Sequence, residues 1–251
     1  MDLKDFLPIP DLDACRSLLC IQPHPDDNEV GAGATIARLA AKGCSITYLT
    51  VTDGRMGTMD PGVDPSALAI KRRNEAEVAA HILGVSYSVF LNYCDTGITD
   101  ENRLCHDIVL QIRRIRPEFV MTVDPFLPYE THPDHIKTGM AVLRACMFSP
   151  FPHMYSDYRP DSPQVWSVNG VAMYCSAAPN TFINADETWD LKIRSLEAHE
   201  SQFDQRYLES LKGYFEFKSR QYGKGKGFKR AEAFKVLTTS HLHMNVDTAH
   251  L

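Results

Sequence analysis

Four times in the first 150 residues, a short apolar run gives way to a helical pattern, and that alternation leaves few folds open to the chain. The runs Ser17–Gln22, Ser45–Val51, Ser86–Leu91 and Phe119–Val123 are rich in Ile, Val, Leu, Tyr and Phe, as buried strands are. Between and after them, helices are expected over Gly33–Lys42, Ser66–Leu83, Glu101–Arg116 and His135–Phe148. Ser66 stands as N-cap of the second and Gly84 lies just past its end. Strands alternating with helices are joined by right-handed crossovers into a parallel sheet covered on both faces. The expectation is an α/β chain: a Rossmann-like three-layer sandwich with a mostly parallel sheet and a small C-terminal strand and helix elaboration.

After Phe148 the rhythm changes. Residues 149–163 are rich in Pro and aromatics and read as an irregular covering segment. Val171–Ser176 and Thr181–Ile183 read as short strands. Glu187–Phe203 reads as a helix with Leu191, Leu196 and Phe203 on its apolar side. Lys218–Arg230 carries six basic residues among three glycines and no helical pattern. No internal repeat is found, and 251 residues suit one large domain, so residues 1–251 are expected to form one unit. Its core would span about 15–148 and its elaboration 149–251.

Composition matters here mainly by exclusion. With 44% apolar and 23% charged residues the chain is not disordered, and a net charge of −6 argues against a general nucleic-acid binder. No apolar run reaches the roughly 18 residues of a membrane span. Met1-Asp2-Leu3-Lys4-Asp5 is acidic where a signal peptide would be basic. The seven cysteines are odd in number and contain no Cys-x-x-Cys pair, which excludes a complete disulfide framework and a zinc ribbon. Those within apolar runs, such as Cys20 and Cys175, are expected to behave as small core residues in a reducing cytoplasm.

Ligands of an open parallel sheet bind beyond the carboxyl ends of its strands. All four strands here end in polar clusters: Pro23-His24-Pro25-Asp26-Asp27-Asn28-Glu29; Thr52-Asp53-Gly54-Arg55; Asn92-Tyr93-Cys94-Asp95-Thr96-Gly97; and Asp124-Pro125 followed by Thr131-His132-Pro133-Asp134-His135. The first and last combine His with carboxylates, the ligand types of Zn²⁺ or a similar divalent ion. His24 and Asp27 could turn toward one ion, and one histidine of the last cluster would complete a catalytic triplet with an open position. Asp26, and a His beside Asp134, would remain for proton transfer and for the developing oxyanion. That is the equipment of metal-assisted hydrolysis, in which the ion lowers the pKa of water to about 7.

Taken singly, each motif has a plainer explanation. His-x-x-Asp pairs also cap helices, and His-Pro-Asp-His suits a capped helix start with Pro at its first position. Their convergence on one sheet edge favours a metal. Gly31-Ala32-Gly33-Ala34 is no dinucleotide fingerprint, because Ile36 occupies the third glycine's place; close helix packing explains those glycines better. A two-metal phosphoesterase and a non-catalytic metal-binding module are the competing functional classes.

In order and spacing, His24-Pro25-Asp26-Asp27 with Glu29, Thr52-Asp53-Gly54, Arg72-x-x-Glu75, Asp95-x-Gly97 and His132-Pro133-Asp134-His135 resemble the PIG-L/LmbE-like deacetylases. Ala231-Glu232-Ala233-Phe234 is similar to that family's closing motif. The resemblance implies removal of acetyl groups from N-acetylglucosamine on small sugars or conjugates. It implies Zn²⁺, with Fe²⁺ or Co²⁺ also suited to the donors, held by His24, Asp27 and His135. It makes Asp26 the general base and later acid, and His132 an imidazolium steadying the tetrahedral intermediate with Asp134 holding its ring. Arg72 and Asp95 match positions that hold sugar hydroxyls, Asp53 is a further substrate-side candidate, and Arg73 rivals Arg72. Assembly into trimers or hexamers is expected by analogy alone.

Two departures stand out. Asn28 occupies a place where many relatives have Glu, and Glu130 stands where some have a tyrosine, with Tyr129 one step further away. Outside the motifs, His241-Leu242-His243 is expected to be a solvated tail, His199 to reach the pocket rim or solvent, and the basic stretch near residue 220 to be a solvated loop. Trp166, Trp189 and the aromatics from Phe148 to Tyr158 are expected to be core rather than a sugar platform.

Overall fold

A computed structural model describes residues 3–155 and 164–251, so Tyr158 and the end of the Pro-rich segment lie outside the described residues. The four expected strands form as β1 (Ser17–Gln22), β2 (Ser45–Thr52), β3 (Tyr87–Tyr93) and β4 (Phe119–Val123). With β5 (Gly170–Tyr174), β6 (Thr181–Asn184) and β7 (Ala231–Leu237) they make a seven-stranded sheet of order β3-β2-β1-β4-β5-β7-β6. Strands β1 to β5 run parallel, and β7 is antiparallel to both of its neighbours. The helices are α1 (Leu3–Phe6), α2 (Asp27–Ala41), α3 (Pro65–Ile82), α4 (Glu101–Ile115), α5 (Pro133–Phe148), α6 (Trp189–Glu197) and α7 (Gln205–Gly223).

The pleat of β1 divides the core. Leu18 and Cys20 point to the face where Ile36 and Leu39 of α2 pack, while Leu19 and Ile21 meet Leu104, Ile108 and Ile112 of α4 and Val142 of α5. The expected three-layer sandwich results. Strand order reverses between β1 and β4, and such a switch point opens a crevice at the carboxyl ends of the strands. Among the described residues no helix is long and apolar enough to cross a membrane.

Several boundaries differ from expectation. Helix α2 begins at Asp27 rather than Gly33, because its first turn is built from the polar residues read as a loop. Asp64, not Ser66, caps α3 by accepting from Ala67 N–H at 2.8 Å, with Pro65 at the first helical position. Helix α5 starts at Pro133, and the expected Glu187–Phe203 helix is confined to Trp189–Glu197. Helix α7 reaches Gly223, into the stretch expected to lack helix. Its inward residues Leu208, Leu211, Phe215, Ser219 and Tyr222 recur at helical spacing, and the helix runs on through the first basic residues, Lys218 and Arg220. Several basic residues of that stretch are engaged: Arg220 and Arg230 with Glu216, and Lys226 over the Phe182 ring. Cys175 is exposed at the end of β5 rather than core, and His241 is buried in the turn Thr239–Leu242 rather than solvated. Trp189 is buried, and Trp166 packs partly buried against the second core face.

The closing motif has a structural explanation. Glu232, at the start of β7, accepts from Ala34 N–H at 3.3 Å and Thr35 N–H at 2.7 Å in the middle of α2. Lys192 of α6 donates to Glu232 at 2.5 Å and to Val30 O at 2.7 Å. Gly33 makes room for this clamp, since a Cβ there would lie 3.0 Å from Lys192, and Gly31 makes room for the Tyr174 ring of β5, which a Cβ would approach to 2.2 Å. Both ions are buried, so removing one strands the other without its partner. Glu232→Ala should therefore destabilise the protein by about 3 kcal/mol, lowering Tm by about 10 °C. Glu216→Ala, which removes half-exposed pairs, should change stability by less than about 1 kcal/mol. Equal losses in thermal denaturation would contradict the clamp.

Candidate active site

The loop after β1 is held by side chains at nearly every polar group. Thr52 donates its N–H and hydroxyl to Pro23 O, both at 2.9 Å. His24 N–H donates to Asp27 Oδ2 at 2.8 Å, and Arg72 donates to Pro25 O at 2.8 Å. Gln22 accepts from Asn28 N–H at 2.9 Å while donating to the Thr50 hydroxyl. These bonds hold Asp26 at φ 126°, a conformation that costs a non-glycine residue about 1–3 kcal/mol. Burial pushes the Asp26 carboxyl up to about 6, with Arg72, 3.2 Å away, pulling the other way. Such a group can accept and release a proton near neutrality.

Asp27 sits between two imidazoles, its Oδ2 3.3 Å from His24 Nδ1 and its Oδ1 3.4 Å from His135 Nε2. Each ring faces further carboxylates with its other nitrogen. His24 Nε2 lies 3.4 Å from Asp95 and from Asp134, and His135 Nδ1 lies 3.1 Å from Glu130. An imidazole held outward by a carboxylate and pointing its second nitrogen at a shared centre is the usual setting of a metal-ligating histidine. Burial alone would lower the pKa of His24, but Asp134, Asp27 and Asp95 raise it to about 12. Asp27 is in turn held far below the usual carboxylate range by His135 and His24, against its burial. The pocket is thus built to stabilise positive charge, and its donor types suit a divalent cation. Among the described residues, the groups whose donor atoms lie within 4.8 Å of one another are His24, His132 and His135, and His24, Asp95 and Asp134; Asp27 belongs to neither and is placed only by its separate approaches to His24 and His135.

His132 caps α5, its Nδ1 accepting from Asp134 N–H at 3.3 Å, which leaves Nε2 as the protonated nitrogen of the neutral ring. Burial, His24 and His135 all lower its pKa. The Asp134 carboxylate does not hold this ring as expected; it accepts from Thr96 N–H at 2.7 Å and faces His24. Asp134 still acts on His132 through its charge.

The substrate-side residues divide. Arg72 is 3% exposed and donates to Gly54 O, Pro25 O and Asp26, so its guanidinium braces the loop and the carboxylate. Gly54 is glycine for this reason: at φ 65° a Cβ there would lie 2.6 Å from Arg72 Nη1. Arg73, the rival, lies outside, over the Phe90 ring and paired with Glu77. Asp95 lines the cleft and accepts from Met56 N–H at 3.0 Å, whereas Asp53 holds Arg55 and does not line it. The cleft has a volume of about 310 Å³.

Sequence reasoning missed several contributors. Glu130, seen only as a departure, orients His135, and Gln22 pins the start of α2. Gln202 brings the C-terminal elaboration to the cleft: its amide donates to Gly57 O, and Glu75 fixes the neighbouring Ser201. His199 reaches neither rim nor solvent; it is fully buried 3.5 Å from Glu29.

The charge pattern predicts how the chelated protein responds to pH. Asp27, Asp95 and Asp134 are lowered from about 3.9, so their stabilisation is present above that value and lost as pH falls. His24 and His135 are raised from about 6.5, so theirs is complete below that value and lost as pH rises. Asp26 and His132 work the opposite way but are outnumbered. The Tm of the metal-free protein should peak between about pH 4 and 6 and decline on both sides, as thermal denaturation across pH 3–9 will check. A flat profile would contradict the charge assignment.

The GlcNAc-PI de-N-acetylase (PIG-L) family profile matches residues 19–146. Diacetylchitobiose deacetylase of Thermococcus kodakarensis is 34% identical over 244 residues, 97% of this chain and 90% of that protein. A 1D-myo-inositol 2-acetamido-2-deoxy-alpha-D-glucopyranoside deacetylase of Kineococcus radiotolerans is 31% identical, over 59% of this chain and 50% of its own length. Among solved structures, the N,N'-diacetylchitobiose deacetylase of Pyrococcus horikoshii superposes with a TM-score of 0.92 at 31% identity, covering 99% of this chain and 95% of that one. The 4-carboxy-2-hydroxymuconate hydratase of Pseudomonas putida shares the fold, with a TM-score of 0.75 at 21% identity over 87% of this chain and 95% of its own.

Proposed function

The chain belongs to the PIG-L family, and on that premise we propose that it is a hydrolase removing the N-acetyl group from a small N-acetylglucosamine-containing sugar, with diacetylchitobiose the first substrate to test. The enzyme acts on N-acetyl groups and requires a metal. The observation that carries this reading is Asp27 placed between two carboxylate-backed imidazoles, beside a carboxyl held near neutrality. His24, Asp27 and His135 would hold the ion, Zn²⁺ being the first candidate. When bound it would polarise the acetamido carbonyl and acidify water.

The chain's own residues supply the rest. Asp26 takes the proton of the attacking water and returns it to the departing amine, which a carboxyl with pKa about 6 can do in both directions. Arg72 positions that carboxylate. His132 donates from Nε2 to the developing oxyanion, its other nitrogen being occupied by Asp134 N–H. Asp95 and Gln202 face the sugar from opposite parts of the chain.

A two-metal phosphoesterase is disfavoured, because the two donor groups share His24 and are not independent ion sites. Acetate release from diacetylchitobiose and a panel of N-acetylglucosamine conjugates, with and without chelator, tests the proposal. Chelator-sensitive release with one ion per chain is expected. No release from any N-acetylated sugar by metal-loaded enzyme would overturn it.

A further inference from the structure

Away from the cleft, at the opposite end of β1, two buried thiols touch. Cys15 Sγ and Cys44 Sγ are 3.7 Å apart, and the residues are 7% and 6% exposed. Cys15 ends the turn Leu12–Ala14 before β1, and Cys44 immediately precedes β2. The ladder holds these two segments side by side: Ser17 pairs with Ser45, and Ser45 N–H donates to Arg16 O at 2.8 Å. Adjacent strands lie about 4.8 Å apart, within the Cα separation of about 4.4–6.8 Å that a disulfide spans. The sulfurs need approach by only about 1.7 Å to reach bonding distance. The contact also ranks the pair. Hydrogen bonding from Cys15 holds the Cys44 thiol below its ordinary pKa, while Cys15 is raised by the same contact and by burial. Cys44 is therefore the sulfur that ionises first.

We propose that Cys15 and Cys44 form a modification site, a dithiol that a small disulfide reagent oxidises in place to an intramolecular disulfide. The Cys44 thiolate attacks one reagent sulfur, breaking its S–S bond, expelling one thiolate and forming a mixed disulfide. Cys15 then loses its proton and attacks the Cys44 sulfur, expelling the second reagent thiolate. The two cysteine sulfurs give up two electrons and two protons, and the reagent leaves as two thiols. Access is narrow, so compact reagents react and bulky ones do not.

The closed loop, residues 15–44, contains β1, the loop bearing His24, Asp26 and Asp27, and all of α2. Closing it restricts the unfolded form of the segment that carries most of the candidate site. The bond itself lies a strand length, about 20 Å, from the cleft. Oxidation should stabilise the protein and leave turnover unchanged.

The test treats metal-loaded protein with 2-hydroxyethyl disulfide, then counts thiols after denaturation and maps peptides. At Cys15 and Cys44 the wild-type protein should lose both thiols without gaining reagent mass, beyond any adducts on the exposed Cys94 and Cys175, yield a Cys15–Cys44 cross-linked peptide, and gain about 5 °C in Tm, reversed by dithiothreitol. Cys44→Ser should yield no cross-link and no gain. Adducts confined to the exposed Cys94 and Cys175, with Cys15 and Cys44 recovered as free thiols from the wild-type protein, would overturn the proposal. The mapping is done on the wild-type chain, so it does not depend on either variant folding.

Discussion

Asp27→Ala should leave the protein folded but strip it of its ion, from about one equivalent to under a tenth, with turnover down roughly a thousandfold or more. The expectation follows from one carboxylate facing both His24 and His135. Its removal also takes away the negative charge that raises both rings, so the alkaline loss of stability in the chelated protein should shrink. This second readout needs no activity. His132→Ala separates Asp27 from its geometric rival. His132 shares a compact donor group with the other two histidines, yet its Nδ1 is committed to capping α5. Metal analysis of the purified variants should find the ion retained in His132→Ala and lost in Asp27→Ala. The opposite pattern would make the three histidines the ligand set.

Legibility of the fold tracked burial. β1 and β4 match their expected ranges because their residues are almost wholly buried and apolar, and the parallel pairing follows from the alternation of strands and helices, while the sheet order does not. Helix α4 was legible because Leu104, Ile108, Val109 and Ile112 recur at helical spacing, whereas its left-handed cap at Arg116, φ 54°, was not. The end of helix α7 was not, because basic residues and Gly223 follow its apolar stripe and read as loop, and β7 was hidden because its buried residues include Glu232 and Lys235. A charged residue in a strand signals exposure until its partner is known, and Lys192 lies 40 residues away.

At the site, residue types were legible and their pairings were not. The His and Asp clusters could be assigned to one sheet edge because each follows the carboxyl end of a strand in a parallel sheet. That Asp134 backs His24 rather than His132 depends on the direction in which α5 leaves its cap, which spacing does not reveal. Arg72 and Arg73 are adjacent, and only the helix phase decides which faces the cleft. Glu130 looked like a substitution for a tyrosine because its role is to orient another side chain, His135, and such roles leave no motif. Gln202 and His199 arrive from beyond α6, in a segment whose placement requires the packing of α6 against α2.

Asp26→Asn should keep the metal, leave KM nearly unchanged and lower kcat by roughly 10²–10⁴. The substitution isolates chemistry from structure more cleanly than alanine would. Asp26 sits at φ 126°, and Asn is, with Asp, among the non-glycine residues that best tolerate positive φ. The amide also fills the same volume beside Arg72, 3.2 Å away, so the loop bonds to Pro25 and Gly54 should survive. What it loses is the capacity to accept a proton. In the wild-type enzyme the base must be ionised to act, so activity should rise with pH through about 6 as the carboxyl deprotonates. The variant's residual rate should lack that acid limb. Arg72→Met gives the complementary shift: without the guanidinium that opposes burial, the limb should move to higher pH. Steady-state kinetics over pH 5–8 on metal-quantified enzyme decide the matter. An Asp26→Asn enzyme that holds its ion and turns over within about threefold of the wild type would show that the proton is taken elsewhere.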